Sequence, residues 1–344
     1  MAKAPLEIAH ECAQECVSKA PVLILGSGAS AAYGIPGMPA LASHLSGLSG
    51  PVGDSADEES WKQFVRRVST TDLESALNDI RPTEAVTQYI VLSTWDFLCP
   101  YDLVAFQKAI TGKISCPLGK LYRHLFQSTA KEINIVTPNY DRLAEYAADL
   151  AGYYHYTGFS FGHIRHRASN STHRIYHDRE AARVVNVWKV HGSFDWFRDR
   201  DGIVIGLPLN EQRPHGLEPV IVTPGIEKYR ITHDEPFLSV KQKADSCLQS
   251  ANAYLCIGYG FNDSHVQTKL VERCRFYDAP LVLLTKGITT TAHQFLRSGK
   301  CKCYMAIEQG GHGSRMFTAD YPDGVDLAAE PFWQLQQFLT MITT

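Results

Sequence analysis

Short apolar runs that end in glycine or in a polar residue recur along this chain and constrain its fold more than any other feature. The first run, Val22–Leu25, leads directly into Gly26-Ser27-Gly28, and later runs precede Asn139, His191 and Gly258. A short apolar run bounded in this way is typical of a strand that is buried on both faces. Helical spacing of apolar residues separates most of the runs. The pattern predicts an α/β fold with a Rossmann-like, mostly parallel sheet and helices on both faces.

The spacing of apolar residues changes between the first predicted strand and the second. From about residue 43 to residue 130, apolar residues recur at three- and four-residue intervals, which predicts an α-helical insertion. The later strands include Val220–Val222, and the series closes with Cys303–Ile307. We find no internal repeat and no low-complexity linker, so we expect residues 1–344 to form a single domain that contains this insertion.

Composition excludes several classes of protein. The 33 Lys and Arg residues against 36 Asp and Glu residues give a net charge of −3, which argues against a generally basic nucleic-acid binder. No apolar run approaches the ~20 residues of a membrane helix, and the N-terminus lacks an apolar signal core. The nine cysteines are scattered and odd in number. Since that usage favours free thiols, we expect a cytoplasmic protein without membrane contact.

The residues that follow the strands are polar or small, although the strands themselves are apolar. In an open parallel sheet, ligands bind beyond the carboxyl ends of the strands. The sequence therefore predicts that one site collects these residues: Gly26, Gly28, Ser30, Asn139, Asp141, His191, Thr223, Gly258 and Gly260.

The loop after the first strand matches the pattern G-x-G-x-x-A, which brings backbone N–H groups against a pyrophosphate in dinucleotide-binding proteins. We expect the N–H groups of Gly28 to Ser30 to do so here, although an ordinary strand-to-helix turn has the same pattern. A dehydrogenase also needs an acidic residue at the end of its second strand. Asp54 has roughly the right spacing but lies in a Gly/Ser-rich loop without a preceding strand, which argues against a dehydrogenase.

Taken singly, the polar residues have structural explanations. Asp141 suits a helix N-cap, and Asn139 suits a turn. His191 is compatible with a hydrogen-bonded core histidine. The sequence leaves these alternatives open for each residue alone.

In combination, the motifs resemble those of the sirtuin family. The resemblance rests on five elements in the family's order, from residue 22 to about 285: Gly26-Ser27-Gly28-Ala29-Ser30, Gly34-Ile35-Pro36, Thr137-Pro138-Asn139-Tyr140-Asp141, His191-Gly192 and the late Ile257-Gly258-Tyr259-Gly260-Phe261-Asn262-Asp263. It implies NAD as the ligand.

Departures from the deacylase pattern indicate a branch of the family. Deacylase sirtuins carry a zinc ribbon of two C-x-x-C pairs, but no cysteine lies between Gly192 and Arg230, and Cys301-Lys302-Cys303 has the wrong spacing. Gly37-Met38 also stands where deacylases have Asp-Phe-Arg. We therefore expect no zinc ribbon and no metal. The sequence is similar to the prokaryotic defence branch, whose members hydrolyse NAD to starve a phage-infected cell in abortive infection.

The resemblance implies roles for individual residues. We expect Asn139, His191 and Asp141 to be catalytic: Asn139 binds ribose hydroxyls and orients water, His191 is the general base, and Asp141 faces the nicotinamide amide or fixes the Asn139 turn. The expected NAD-binding residues are Gly26, Gly28, Ala29, Ser30, Pro36, Thr137, Tyr140, Gly258, Tyr259 and Asp263.

The resemblance also implies control by assembly, because an unrestrained NAD hydrolase would poison its own cell. We expect a homo-oligomer, an operon-encoded HerA-like hexameric ATPase as partner, and nucleic acid reached through that partner. Two alternatives stay open: a sensor that binds NAD or ADP-ribose without turnover, and a nuclease subunit. In the second, a loop around 163–183, rich in histidine and arginine and expected to be exposed, would contact DNA.

Overall fold

The structure is a computed structural model that describes residues 3–167, 175–208, 210–223 and 234–343. The helices of these residues are α1 (Pro5–Ser18), α2 (Ser27–Ala31), α3 (Met38–Ser46), α4 (Ser55–Val68), α5 (Leu73–Ile80), α6 (Glu84–Ile110), α7 (Pro117–Leu125), α8 (Leu143–Ala151), α9 (Phe237–Ser250), α10 (Ser264–Tyr277), α11 (Thr290–Arg297) and α12 (Leu335–Thr343). The strands are β1 (Val22–Leu25), β2 (Glu132–Thr137), β3 (Tyr154–Tyr156), β4 (Arg165–His166), β5 (Tyr176–His177), β6 (Glu180–Ala181), β7 (Val184–Lys189), β8 (Gly192–Arg198), β9 (Val204–Gly206), β10 (Glu218–Ile221), β11 (Tyr254–Ile257), β12 (Leu281–Leu284), β13 (Tyr304–Gly310), β14 (Gly313–Thr318) and β15 (Val325–Ala328).

A nine-stranded sheet forms the centre of the fold, in the order β15-β14-β13-β12-β11-β1-β2-β7-β3. The strands from β13 to β3 pair in parallel, which confirms the predicted mostly parallel α/β fold. Both faces of the sheet are covered. In β1, Val22 and Ile24 belong to one buried cluster, while Leu23 and Leu25 belong to the cluster on the opposite face. This arrangement explains why the run is apolar throughout instead of alternating with polar residues.

The strand order reverses direction at β1. From β1 the chain continues to β2 on one side, and it returns much later to β11 on the other side. In open α/β sheets the crevice at such a switch point is where ligands bind. The carboxyl ends of β1 and β11 carry the glycines that the sequence singled out.

Two sequence expectations about strands are wrong. Cys303–Ile307 does not close the series, because β13 continues into β14 and β15, which pair antiparallel at the sheet edge. The run Val220–Val222 does not enter the main sheet either. It contributes to β10, which pairs antiparallel with β8 in a separate sheet of order β10-β8-β9-β4. Thr223 therefore does not follow a strand of the parallel sheet.

Helices α3 to α7 occupy the chain between β1 and β2. They begin at Met38, five residues before the expected start at residue 43, and α3 to α6 contribute most of a hydrophobic cluster that includes Trp61, Phe64 and Trp95, whereas α7 packs into a cluster of the main sheet. The cluster of α3 to α6 also includes Phe194 and Phe197 of β8, and Trp95 Nε1 donates a hydrogen bond to the Phe194 carbonyl at 2.8 Å. The helical segment is thus packed against the second sheet, close to the residues that follow β7.

Candidate active site

A cavity of about 430 Å³ opens at the carboxyl ends of the central strands. The structure brings together in its lining all of the predicted site residues except Ala29, Thr137 and Thr223: Gly26, Gly28, Ser30, Pro36, Asn139, Tyr140, Asp141, His191, Gly258, Tyr259, Gly260 and Asp263. They come from the loops after β1, β2, β7 and β11, so the parallel sheet itself gathers them at one edge.

Three glycines form the floor of the cavity where the loops after β1 and β11 meet. The Gly26 N–H donates to the Ile257 carbonyl at 3.0 Å, and the Gly28 N–H donates to the Gly258 carbonyl at 3.1 Å. A Cβ on Gly26 would lie 2.3 Å from the Gly258 oxygen, and one on Gly258, where φ is +59°, would lie 2.2 Å from the Ala29 nitrogen. The two loops can approach this closely only because these positions lack side chains.

Two of the expected diphosphate donors make hydrogen bonds within the protein. The Gly28 N–H donates to the Gly258 carbonyl and joins the two loops, whereas the Ala29 N–H donates to the Gly26 carbonyl at 3.0 Å within the loop after β1. Both N–H groups are therefore already bonded to carbonyls of the protein. Ala29 and Thr137 lie behind the cavity, where the buried Thr137 hydroxyl donates to the Leu25 carbonyl at 2.8 Å.

The side-chain amide of Asn139 is fixed in one orientation. Its Nδ2 atom lies 2.9 Å from the Gly26 carbonyl oxygen and 2.9 Å from Ser30 Oγ. Since a carbonyl oxygen only accepts hydrogen bonds, the atom beside Gly26 is the amide nitrogen. Both amide hydrogens are thereby used, and Oδ1 is the atom left to accept a hydrogen bond from a ligand in the cavity.

Asp141 supports this arrangement from below. Ser30 Oγ donates to Asp141 Oδ2 at 2.6 Å, and the Leu143 N–H donates to Oδ1 at 3.2 Å. The Lys189 ammonium, which is fully buried, donates to the Asp141 backbone carbonyl and lies 3.3 Å from Glu145 Oε1. Burial raises the pKa of Asp141, against the opposing effects of Lys189 and the Ser30 hydrogen bond. Of the two roles expected for Asp141, the geometry favours fixing the Asn139 turn.

His191 follows β7 and is paired with Asp263. The imidazole Nε2 lies 2.9 Å from Asp263 Oδ2, and both side chains are buried. The Asp263 backbone is held in turn by Tyr259, whose hydroxyl donates to the Asp263 carbonyl at 3.2 Å. The Asp263 carboxylate therefore lies within ion-pairing distance of the His191 ring.

Tyr140 connects the loop after β2 to the second sheet. Its hydroxyl donates to the Val222 carbonyl, and its own carbonyl accepts the Phe194 N–H at 3.1 Å. Burial, together with the carboxylates of Glu74 and Asp263, raises the pKa of the Tyr140 phenol. Its ring is therefore a neutral wall of the cavity.

Sequence reasoning missed several lining residues, notably Glu74 of α5, Asn262 and Lys286. Glu74 lies on a helix of the insertion, and no local motif connects it to the strands. Lys286 follows the apolar run of β12, so the strand-end rule that found Asn139 and His191 applies to it equally.

The histidine- and arginine-rich segment is only partly as expected. His163 and His166 are exposed, but Arg165 forms a largely buried ion pair with Asp195, and its guanidinium holds the Asp195 pKa well below the usual range despite burial. Arg167 donates to the Gly158 carbonyl and lies 3.4 Å from Glu235. These two arginines are therefore engaged within the fold and are not free to contact a partner. His173, Arg174 and the side chain of His177 lie outside the described residues.

Among the residues that the structure describes, no three His, Cys, Asp or Glu side chains form a group that could hold a metal ion. All nine cysteines are described, and each is a free thiol. Within the described ranges, no helix combines the length and the apolar character needed to cross a bilayer.

Comparison with known proteins finds a family match for part of the chain. Residues 133–285, from β2 to the end of β12, match the family described as a SIR2-like domain. This part of the chain is therefore similar to a SIR2-like domain. The match includes Asn139, His191 and Asp263, whereas the loop after β1 and the helical segment lie outside it. No curated protein sequence matches the chain.

Solved structures of Sir2 enzymes are similar to the chain at low identity. One, described in terms of the mechanism and regulation of Sir2 enzymes, has 14% identity and a TM-score of 0.42 over 87% of this chain and 91% of that one. Another, a Sir2 homologue in complex with NAD, has 11% identity and a TM-score of 0.42 over 85% and 87% of the two chains. A structure concerned with sirtuin substrate affinity has 13% identity and a TM-score of 0.37 over 78% and 83%.

Proposed function

We propose that this protein is an NAD glycohydrolase, which cleaves the bond between nicotinamide and ribose to release nicotinamide and ADP-ribose. The observation that carries the proposal is the meeting of Asn139, His191 and the glycine loops in one cavity at the switch point of the sheet. The match of residues 133–285 to a SIR2-like domain supports NAD as the substrate.

The chemistry needs few groups. Cleavage of an N-glycosidic bond passes through an oxocarbenium-like state, and water then attacks the anomeric carbon. The nicotinamide nitrogen is positively charged in NAD and leaves as a neutral ring, so the leaving group needs no proton. The attacking water loses one proton, which the His191 imidazole accepts while the Asp263 carboxylate stabilises the resulting charge.

Asn139 contributes an acceptor at a fixed place. With both amide hydrogens bonded to Gly26 and Ser30, its Oδ1 is oriented to accept from a ribose hydroxyl or from the attacking water. Because Ser30 and Asp141 hold the amide before a ligand binds, little side-chain entropy is lost on binding.

The charge of the cavity wall favours the positively charged end of the substrate near His191. Glu74 and Asp263 both lie close enough to Tyr140 to raise the pKa of its phenol. Two carboxylates at this end of the cavity stabilise a cationic nicotinamide ring and the developing oxocarbenium charge.

The test is a nicotinamide-release assay with NAD on the wild type and on Asn139→Ala. We expect the variant to fold and to lose turnover, while an exposed substitution such as His312→Ala leaves the rate unchanged. A folded Asn139→Ala protein with wild-type turnover would remove Asn139 from the mechanism. NAD binding without nicotinamide release, in the presence of the native neighbouring protein, would favour the sensor alternative. Nicotinamide release that requires an acyl-lysine peptide would favour a deacylase.

We further propose that the activity serves antiphage defence by NAD depletion and is gated by assembly. Self-association in closed symmetry and an operon-encoded HerA-like hexameric ATPase are the expected partners, with nucleic acid reached through that ATPase. Light scattering should show an oligomer, and NAD turnover should change when the neighbouring protein is added. A monomer that is fully active alone and indifferent to any neighbour would refute this part of the proposal.

A further inference from the structure

The cavity is asymmetric in charge along the sheet. The strands whose carboxyl ends border it run in the order β7, β2, β1, β11, β12, so the ends of β7 and β12 are four strand spacings, about 19 Å, apart. The loop after β11 reaches back across the cavity and brings Asp263 to within 2.9 Å of His191. His191 and Asn139 follow β7 and β2, and Glu74 and Asp263 lie around Tyr140. Lys286 follows β12 at the opposite end and contributes a positive charge there.

The Lys286 ammonium is available to a ligand. Among the described residues, no carboxylate lies within ion-pairing distance of it. Glu308 of the neighbouring strand β13 instead accepts the Ile288 N–H at 2.9 Å. The lysine side chain is exposed and lines the rim of the cavity.

The backbone beside Lys286 leaves room for a bulky group. No atom lies within 4 Å of the position that a Cβ would take on Gly287. The neighbouring hydroxyls are already used, because Thr285 Oγ1 donates to the Gly287 carbonyl at 3.1 Å and Thr289 Oγ1 donates to the Gly260 carbonyl at 2.6 Å. The free recognition group at this end is therefore a cation beside open space.

A dinucleotide placed with its scissile bond near Asn139 and its diphosphate over the β1–β11 switch point extends its adenosine ribose toward β12. Sites that bind the unmodified ribose of NAD present a carboxylate to its hydroxyls, whereas sites for the 2′-phosphorylated form present a cation. An ammonium binds a phosphate as a compact point charge and has no acceptor for a ribose hydroxyl.

We propose that the cavity accepts a dinucleotide phosphorylated at the 2′ position of the adenosine ribose, and that Lys286 selects this phosphate. The inference rests on the proposed function only in placing a dinucleotide in the cavity. It extends the substrate class to NADP and assigns its recognition to a residue after β12.

The test uses the two products, ADP-ribose and its 2′-phosphate, so that binding is measured whether or not the dinucleotides are cleaved. Calorimetry on the wild type should show the 2′-phosphate binding about tenfold more tightly, as one charge-assisted contact at an exposed site provides. Lys286→Met should abolish that difference while leaving ADP-ribose affinity unchanged. Lys286→Glu should reverse the preference by placing a carboxylate against the phosphate. Lys300→Met, an exposed lysine outside the cavity, is the matched control.

Equal wild-type affinities for the two nucleotides would overturn the proposal. A Lys286→Met variant that binds both nucleotides more weakly by the same factor would also overturn it, because the ammonium would then contact the diphosphate that the two nucleotides share. If neither nucleotide binds, the proposal is overturned as well. Absence of nicotinamide release from NAD, with the 2′-phosphate preference intact, would contradict the glycohydrolase and leave this inference supported.

Discussion

Asp102, in the middle of α6, accepts three hydrogen bonds from Arg142, the residue that follows Asp141 in the candidate site. The Arg142 N–H donates to Oδ1 at 2.8 Å, and its guanidinium donates to Oδ2 at 3.0 and 2.6 Å, where the Tyr146 hydroxyl also donates at 2.6 Å. Asp102 is fully buried and Arg142 is nearly so. Through this pair, a helix of the inserted segment is fixed to the loop that carries Asn139 and Asp141.

This relationship predicts a large loss of stability on Asp102→Asn. Removing one partner of a buried ion pair leaves the other charge uncompensated and costs about 3–5 kcal/mol. Asp96 of the same helix pairs with Arg213 on the surface, where such pairs contribute about 0–1 kcal/mol, so Asp96→Asn is the matched control. Denaturant unfolding of both variants checks the expectation. If the two variants lower the free energy of unfolding by the same small amount, the Asp102–Arg142 pair does not hold the site to the insertion.

His191 carries a second prediction. If its imidazole accepts the proton of the attacking water, His191→Ala should lower kcat by about 10² to 10⁴. Asp263→Asn keeps the shape of the side chain but removes its charge, so it should lower kcat less than the histidine variant does. Nicotinamide release, with circular dichroism to verify folding, measures both. An Asp263→Asn variant that is slower than His191→Ala would assign the larger role to the carboxylate.

The raised pKa of Asp141 leads us to expect that activity and stability change in opposite directions with pH. Its raised pKa means that the folded protein holds this proton more tightly than the unfolded chain does. The group's contribution to stability is therefore greatest below the unfolded pKa and is lost as pH rises through the folded pKa. Activity should change in the other direction, because protonation weakens Asp141 as the acceptor of the Ser30 hydroxyl and so loosens the hold of Ser30 on the Asn139 amide.

Asp141→Asn tests this assignment, since an amide cannot titrate. The variant should have low turnover at neutral pH, and the acidic decline of its rate should differ from that of the wild type by the contribution of Asp141. The difference in the free energy of unfolding between the variant and the wild type should also change across the pH range in which Asp141 titrates. A variant whose rate declines in acid just as the wild type does would show that another group titrates.

The sequence predicted those parts of the fold that depend on local patterns. The strands of the parallel sheet were recognisable because both of their faces are buried, and the site residues were found because they immediately follow those strands. The antiparallel strands β14 and β15 were missed because exposed positions such as Arg315 of β14 interrupt the apolar run. The pattern also did not show which sheet Val220–Val222 joins, since that depends on pairing with β8.

Tertiary contacts account for the rest. Glu74 reaches the cavity only because α5 packs over it, and the Arg165–Asp195 pair joins residues thirty positions apart. Neither contact has a sequence signal, because charged residues on a helix or a loop are ordinarily solvated. For the same reason Asp102 could not be connected to the site before the fold was known.

The close contact between the glycine loops after β1 and β11 leads to the final prediction. Gly258→Ala would place a Cβ 2.2 Å from the Ala29 nitrogen at a positive φ, so either the loops separate or the backbone is strained. We expect a loss of more than about 2 kcal/mol in the free energy of unfolding, together with loss of NAD binding. Gly311→Ala, where a Cβ has no neighbour within 4 Å, should stay within about 0.5 kcal/mol. Equal stability of the two variants would mean that the loops do not need this close approach, and Gly258 would then owe its place in the motif to ligand binding alone.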